Sequence, residues 1–101
     1  MQNTFELTNN QIGKAAHCLK VLGNPVRLQI VAMLSQQPKT VKELAQMVEV
    51  PHNVACEHLR LLLHCGFVKS TREGKKVWYQ IHDNHLFDLL SCIHKRFKNM
   101  E

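Results

Sequence analysis

What is scarce in this chain removes several classes of function. No apolar run approaches the ~20 residues of a membrane-spanning helix, and the N-terminus MQNTFELTNN lacks the basic-then-apolar layout of a signal peptide, so a cytoplasmic protein is expected. The four cysteines, Cys18, Cys56, Cys65 and Cys92, are scattered with no C-x-x-C pair. In a reducing compartment that pattern reads as free thiols rather than a disulfide framework. Glycine is sparse, at four residues, and forms no phosphate-cradling loop. There is no Ser/His/Asp arrangement on a structured scaffold and no pair of carboxylates, so an enzyme is not expected. Acidic residues are few: 8 against 13 Lys and Arg leave a net charge of +5 with 7 histidines uncounted. That balance, with a pI near 9.2, favours a polyanionic partner such as nucleic acid. Many small basic proteins bind none, so charge alone gives only a direction. With 101 residues and 45% hydrophobic content, the expectation is one domain over 1–101 with a small core, for which oligomerisation is a common remedy.

The chain itself opens on a polar tail in which Phe5 and Leu7 are expected to order by packing. Thr8 and Gln11 have capping-box spacing, predicting a helix from Thr8 to Gly23. Its stripe of Ile12, Ala15, Ala16, Leu19 and Leu22 suits close helix packing, within the subunit or across a dimer. Asn24-Pro25 restarts the chain as N-cap and first helical residue. The helix that follows is expected to bury Val26, Ile30, Ala32, Met33 and Leu34. Thr40 and Glu43 form a second capping box, opening a short third helix through Glu49.

The central stretch is VPHNVACEHLRLLLHCG, residues 50–66. It reads as a helix of unlike halves. Leu59, Leu61, Leu62 and Leu63 anchor the second half, while His52, Asn53, Cys56, Glu57, His58 and Arg60 make the first half polar. A helix buried at its C-terminal end and polar at its N-terminal end is what the DNA major groove admits. A tight Val50-Pro51 turn joins it to the third helix in a helix-turn-helix pattern. Pro51 stands where a Ser or Asp cap is expected, leaving the start uncapped unless Asn53 bonds locally.

After Gly66 the period becomes alternating. Residues 67–72 and 76–81 read as two strands joined at Glu73-Gly74-Lys75, with Arg72, Lys75 and Lys76 gathered at the tip. A basic hairpin after a helix-turn-helix is a wing placed to meet phosphates. A last helix follows Asp83, with Leu86, Leu89, Leu90, Ile93 and Phe97 as its stripe and His94, Lys95, Arg96 and Lys98 near its end.

Three segments resemble the ArsR/SmtB family of bacterial winged-helix repressors: LKVLGNPVRLQIVAML (19–34), VKELAQMVEVPHNVACEHLRLLLHCGFV (41–68) and TREGKKVWYQI (71–81). The match spans roughly residues 8–98, and ordered motifs at the family's spacing outweigh any single one. The resemblance implies a mainly helical winged helix-turn-helix with a small β-hairpin (α-α-α-α-β-β-α), a homodimer joined through the first and last helices. It also implies a repressor released from a near-palindromic operator by an inducer. On this reading His52, Asn53, Cys56 and Glu57 face base edges. Arg60, Arg72, Lys75 and Lys76 meet phosphates, and His58 either reaches phosphate or packs between helices. The family's recognition helix often reads S-x-S-x-V-S-x-H-L where this chain has Pro51, Asn53, Ala55, Cys56 and then His58-Leu59, so serine hydroxyls that would cap the helix or touch phosphates are replaced.

The family's sensing chemistries each need particular residues. Its last-helix zinc site begins with an Asp-x-His pair, which Asp83 and His85 match, but the positions eleven and fourteen further on are Arg96 and Asn99. Asp83 reads in preference as a helix cap. The arsenic-type cysteine pair has no counterpart in the third helix, and the second helix has no cysteine. Cys65 resembles one cysteine of a cadmium/lead-sensing branch whose partner position is Leu61 here. Cys18 and Cys92 lie on the two helices that resemble the dimerising pair, so a disulfide or persulfide between them is one reading and interface packing the other. His52 and Cys56 share a face at i, i+4. A divalent metal ion is the only cofactor class left open. The competing functional class is a winged-helix module for protein or RNA partners, since fold does not fix function.

Overall fold

The computed structural model describes residues 3–100. Its elements are α1 (Asn9–Leu22), α2 (Pro25–Leu34), β1 (Lys39–Thr40), α3 (Val41–Met47), α4 (His52–His64), β2 (Val68–Glu73), β3 (Lys76–Ile81) and α5 (His85–Phe97). Local chemistry sets most of the helix starts. The Thr8 hydroxyl accepts from the Gln11 N–H at 3.1 Å, and Gln11 Oε1 accepts from the Thr8 N–H at 2.9 Å. Thr40 and Glu43 make the same reciprocal pair at 3.2 and 2.9 Å. Asn24 Oδ1 accepts from the N–H groups of Val26 and Arg27, with Pro25 supplying a preset φ at the first helical position. At α5 the cap is displaced by one residue. Asn84 makes no side-chain cap bond, and Asp83 Oδ1 accepts instead from the His85 N–H at 3.0 Å.

The sheet has three antiparallel strands in the order β1-β3-β2. Strand β1 was not expected. It is only the two residues before α3, too short to show a period, and it pairs Lys39 with Tyr79 and Thr40 with Trp78. The β2–β3 register pairs Glu73 with Lys76, so the connection is Gly74-Lys75, with Gly74 at φ 62. Val68, Val77, Tyr79 and Ile81 pack towards the helices.

The core lies where α2, α3 and α4 meet. Ile30, Val31, Leu44, Ala55, Leu59 and Leu62 are all fully buried there. In α2 the inward residue is Val31 rather than Ala32, which is exposed, because Ile30, Val31 and Leu34 line one face at helical spacing. In α4 Leu59 and Leu62 carry the anchoring, and Leu61 and Leu63 are half-buried. The α1 stripe has almost no partner inside the protomer: Leu22 is buried, but Ile12 is 50% and Leu19 62% exposed. The tail likewise stays outside the protomer core, with Phe5 and Leu7 exposed. No helix among the described residues is long and apolar enough to cross a membrane.

One side chain ties three helices together. Arg27, in the first turn of α2, donates from Nη1 to the Val21 carbonyl at the end of α1 (2.9 Å) and from Nε to His58 Nδ1 in α4 (3.1 Å). Accepting at Nδ1 requires the imidazole to be neutral. Partial burial first, and the Arg27 charge second, hold the His58 pKa below its usual 6.5. The turn between α3 and α4 carries backbone strain at Glu49, a non-glycine residue with φ 58.

Two measurements check these points. Glu49→Gly relieves the left-handed strain but adds unfolded-chain freedom, for a net gain of about 0.5–1 kcal/mol in urea unfolding; a loss of stability refutes strain at Glu49. For His58, the unfolded imidazole binds its proton more readily than the folded one. Stability is therefore full above pH 6.5 and falls as the pH drops through that value towards the folded pKa. Thermal unfolding of His58→Gln should lose part of this fall between pH 7.5 and pH 5, and an unchanged pH dependence contradicts the assignment.

Candidate nucleic-acid interface

The polar half of α4 is built by what is missing at its start. No side chain caps the helix at Pro51. Pro51 contributes only its carbonyl, which accepts from the N–H groups of Val54 and Ala55 at 3.0 Å. The first N–H groups of a helix have no intrahelical acceptor, so here they are left to an outside partner at the positive end of the helix dipole. Asn53 makes no capping bond.

Beyond that first turn, α4 divides by exposure. His52, Asn53, Glu57 and Arg60 are exposed, while Ala55, Leu59 and Leu62 face the core. Cys56 is half-buried, and its Sγ lies 3.6 Å from His52 Nδ1, as the i, i+4 spacing requires. Glu57 and Arg60 form an ion pair on the exposed face. His58 is half-buried and turned to Arg27, which is the packing role of the two alternatives.

The hairpin stands beside this helix. A cleft of about 670 Å³ separates α3 and the start of α4 from β3, lined by Gln46, His52, Cys56, Lys75, Lys76 and Trp78 among others. The basic residues at the tip do not form one cluster. Partners across an antiparallel ladder share a face and neighbours alternate, so Arg72 goes with Val77 and Lys76 with Glu73, and of the two it is Lys76 that borders the cleft. Lys75 sits in the turn itself, exposed. Trp78 places its Nε1 in a buried position with no hydrogen-bond partner.

The two cysteines singled out for thiol chemistry sit on α1 and α5 of the protomer. Within the protomer Cys18 lies beside Cys65, the two lining one groove between α1 and the end of α4. Cys92 is exposed on α5, in a shallow groove with Asp88, Ser91, Lys95 and Arg96. Cys18 precedes Val21 and Leu22 by three and four residues and shares their inward face, on the side where α1 meets α4. Asp83 Oδ1 and His85 Nδ1 lie 2.9 Å apart. The Asp83 carboxyl is held below its ordinary value, chiefly by the His85 backbone N–H. Asp83 is thus engaged in starting the helix. No group of three or more His, Cys, Asp or Glu side chains that could hold a metal ion occurs among the described residues.

Three residues of this region were not singled out from the sequence. Arg27 is invisible as a clamp because its partners are distant in the chain. Gln46 and Trp78 line the cleft only because α3 and β3 converge; the single tryptophan on a basic hairpin was the one available signal.

Comparison with known proteins agrees with this geometry. Residues 24–70 match the model of the "Bacterial regulatory protein, arsR family". The chain is 36% identical over 72 residues to the HTH-type transcriptional repressor SmtB of Mycobacterium tuberculosis, covering 71% of this chain and 53% of that protein. It therefore spans about half the length of that relative. It is 30% identical over 84 residues to the HTH-type transcriptional regulator NmtR of the same organism, covering 83% of this chain and 70% of the relative. Among solved structures, HlyU of Vibrio cholerae superposes with a TM-score of 0.79 at 27% identity, over 89% of this chain and 98% of that one. The chain belongs to the arsR family of bacterial regulatory proteins, a family of regulators and not of enzymes.

Proposed function

We propose that this protein is a dimeric, sequence-specific DNA-binding transcriptional repressor that an inducer releases from its operator. The observation that carries the reading is the uncapped, exposed polar start of α4 standing across a cleft from a hairpin with Lys75 at its turn. The first turn of α4 enters the major groove, where its free N–H groups and dipole favour a phosphate. His52, Asn53 and Cys56 face base edges, and Lys75, Lys76 and Arg72 meet the backbone from the hairpin. Arg60 is partly neutralised by Glu57 before DNA arrives. Glu57 in turn is repelled by phosphate unless it accepts from a cytosine amino group.

The dimer follows from what the protomer leaves uncovered. Ile12 and Leu19 on α1, and Phe87 and Phe97 on α5, are each at least 44% exposed. Burying these two helices against a second copy supplies the core that a chain this small otherwise lacks. A two-fold pair of α4 helices calls for a near-palindromic operator with half-sites about one helical turn apart. The repressor role is supported by the name of the SmtB relative.

Fluorescence anisotropy with the DNA upstream of its own gene, over a salt series, tests this reading, backed by selection from random DNA. A dimer that selects a near-palindromic site supports it; no sequence preference in either experiment refutes it, and retention of RNA instead favours a different module. Lys75→Ala should weaken binding to all sequences and reduce the salt slope by roughly one. An unchanged slope removes Lys75 from the interface. Glu57→Ala should have the opposite sign, steepening the slope by releasing Arg60 and strengthening binding to non-specific DNA several-fold; unaltered binding to such DNA leaves the Glu57–Arg60 pair outside the interface.

A further inference from the structure

Helix α1 and the C-terminal end of α4 meet side by side, and each brings the dipeptide His-Cys to the meeting point: His17-Cys18 and His64-Cys65. The two imidazoles stand edge to face with centroids 6.3 Å apart. The two cysteines line one open groove of about 570 Å³ together with Lys14. Cys65 closes α4, its backbone N–H reaching the Leu61 carbonyl at 3.2 Å. Its side chain shares that groove with Cys18, which lies near enough to help raise its pKa. Cys56 and Cys92 lie elsewhere, on the polar face of α4 and on α5. The fold has thus brought two thiols 47 positions apart onto one accessible groove.

We infer that Cys18 and Cys65 are a reactive dithiol that hydroperoxides convert to an intramolecular disulfide, tying α1 to the C-terminal end of α4. The Cys18 thiolate attacks the peroxide oxygen; the O–O bond breaks, Cys18 becomes a sulfenic acid, and the alkoxide or hydroxide leaves with a proton as alcohol or water. The Cys65 sulfur then attacks the Cys18 sulfur. The S–O bond breaks, the S–S bond forms, and the departing hydroxide takes the Cys65 proton as water. Two thiols are oxidised by two electrons and one peroxide is reduced.

The order of attack follows from the surroundings. Burial first, then the Cys18 contact, push the Cys65 pKa up to about 11, so Cys65 holds its proton until a sulfenic acid is beside it. A disulfide holds its sulfurs about 2 Å apart, inside hydrogen-bonding contact. Closing it draws Cys65, the residue that caps the end of α4, onto α1, so the link connects the exposed apolar helix to the helix of the candidate interface.

The test needs no DNA and so stands apart from operator binding. Reduced full-length protein is treated with one equivalent of hydrogen peroxide, alkylated and peptide-mapped by mass spectrometry, folded and in urea. Expected are a Cys18–Cys65 cross-link as the principal product, formed at least tenfold faster in the folded protein. The same link should form in the Cys56→Ser, Cys92→Ser double variant and be absent in Cys18→Ser. The wild-type map alone decides the matter should Cys18→Ser fold poorly. Oxidation without that link, a principal link through Cys56 or Cys92, or equal rates in urea overturns the inference.

Discussion

The guanidinium of Arg27 is the contact on which the pose of the interface depends. It holds the carbonyl that ends α1 and the imidazole in the middle of α4, while its own backbone N–H is spent on Asn24. Hydrogen bonds from a charged donor in a partly buried setting are worth about 1.5–3 kcal/mol each. Apolar packing at Leu59 and Leu62 excludes water but is tolerant of small rotations. The planar fork of Arg27 is directional, and sets how α4 is rotated about its own axis. That rotation decides which residues of its first half look outwards.

Around that clamp, α4 is a compromise between anchoring and offering. Its C-terminal half is fastened by buried leucines and by Cys65 against α1. Its N-terminal half begins at a proline that cannot cap it, after a turn strained at Glu49. Both features cost stability locally. Both also leave a helix N-terminus with open donors, exposed side chains and a lysine-bearing hairpin alongside. Ordinary capping at Pro51 would occupy the groups that an anion otherwise takes.

The uncovered surfaces have the same logic. α1 is amphipathic, yet only its last turn reaches the core: Val21 and Leu22 are buried, and Ile12 and Leu19 are not. α5 is similar, with Leu86 buried and Phe87 and Phe97 exposed. Apolar residues left outside at both ends of the chain are the surface that the proposed second copy would cover, completing the small core of a 101-residue protein.

Local signals were readable in the chain itself. The capping boxes at Thr8 and Thr40, the Asn24-Pro25 start, the missing cap at Pro51 and the switch to alternation after Gly66 all rest on neighbours within four residues, and short-range geometry leaves them little choice. The ordered motifs carried the family as well. What depended on distant residues was decided only by the tertiary structure: β1 forms because β3 arrives beside it, and His58 turns inwards because Arg27 waits there. Arg72 and Lys76 part to opposite faces through the register of the hairpin. Inside the protomer the neighbour of Cys18 is Cys65, since the face Cys18 occupies on α1 is set by where Val21 and Leu22 are buried. Spacing along a helix tells which residues share a side, and only packing tells what that side meets.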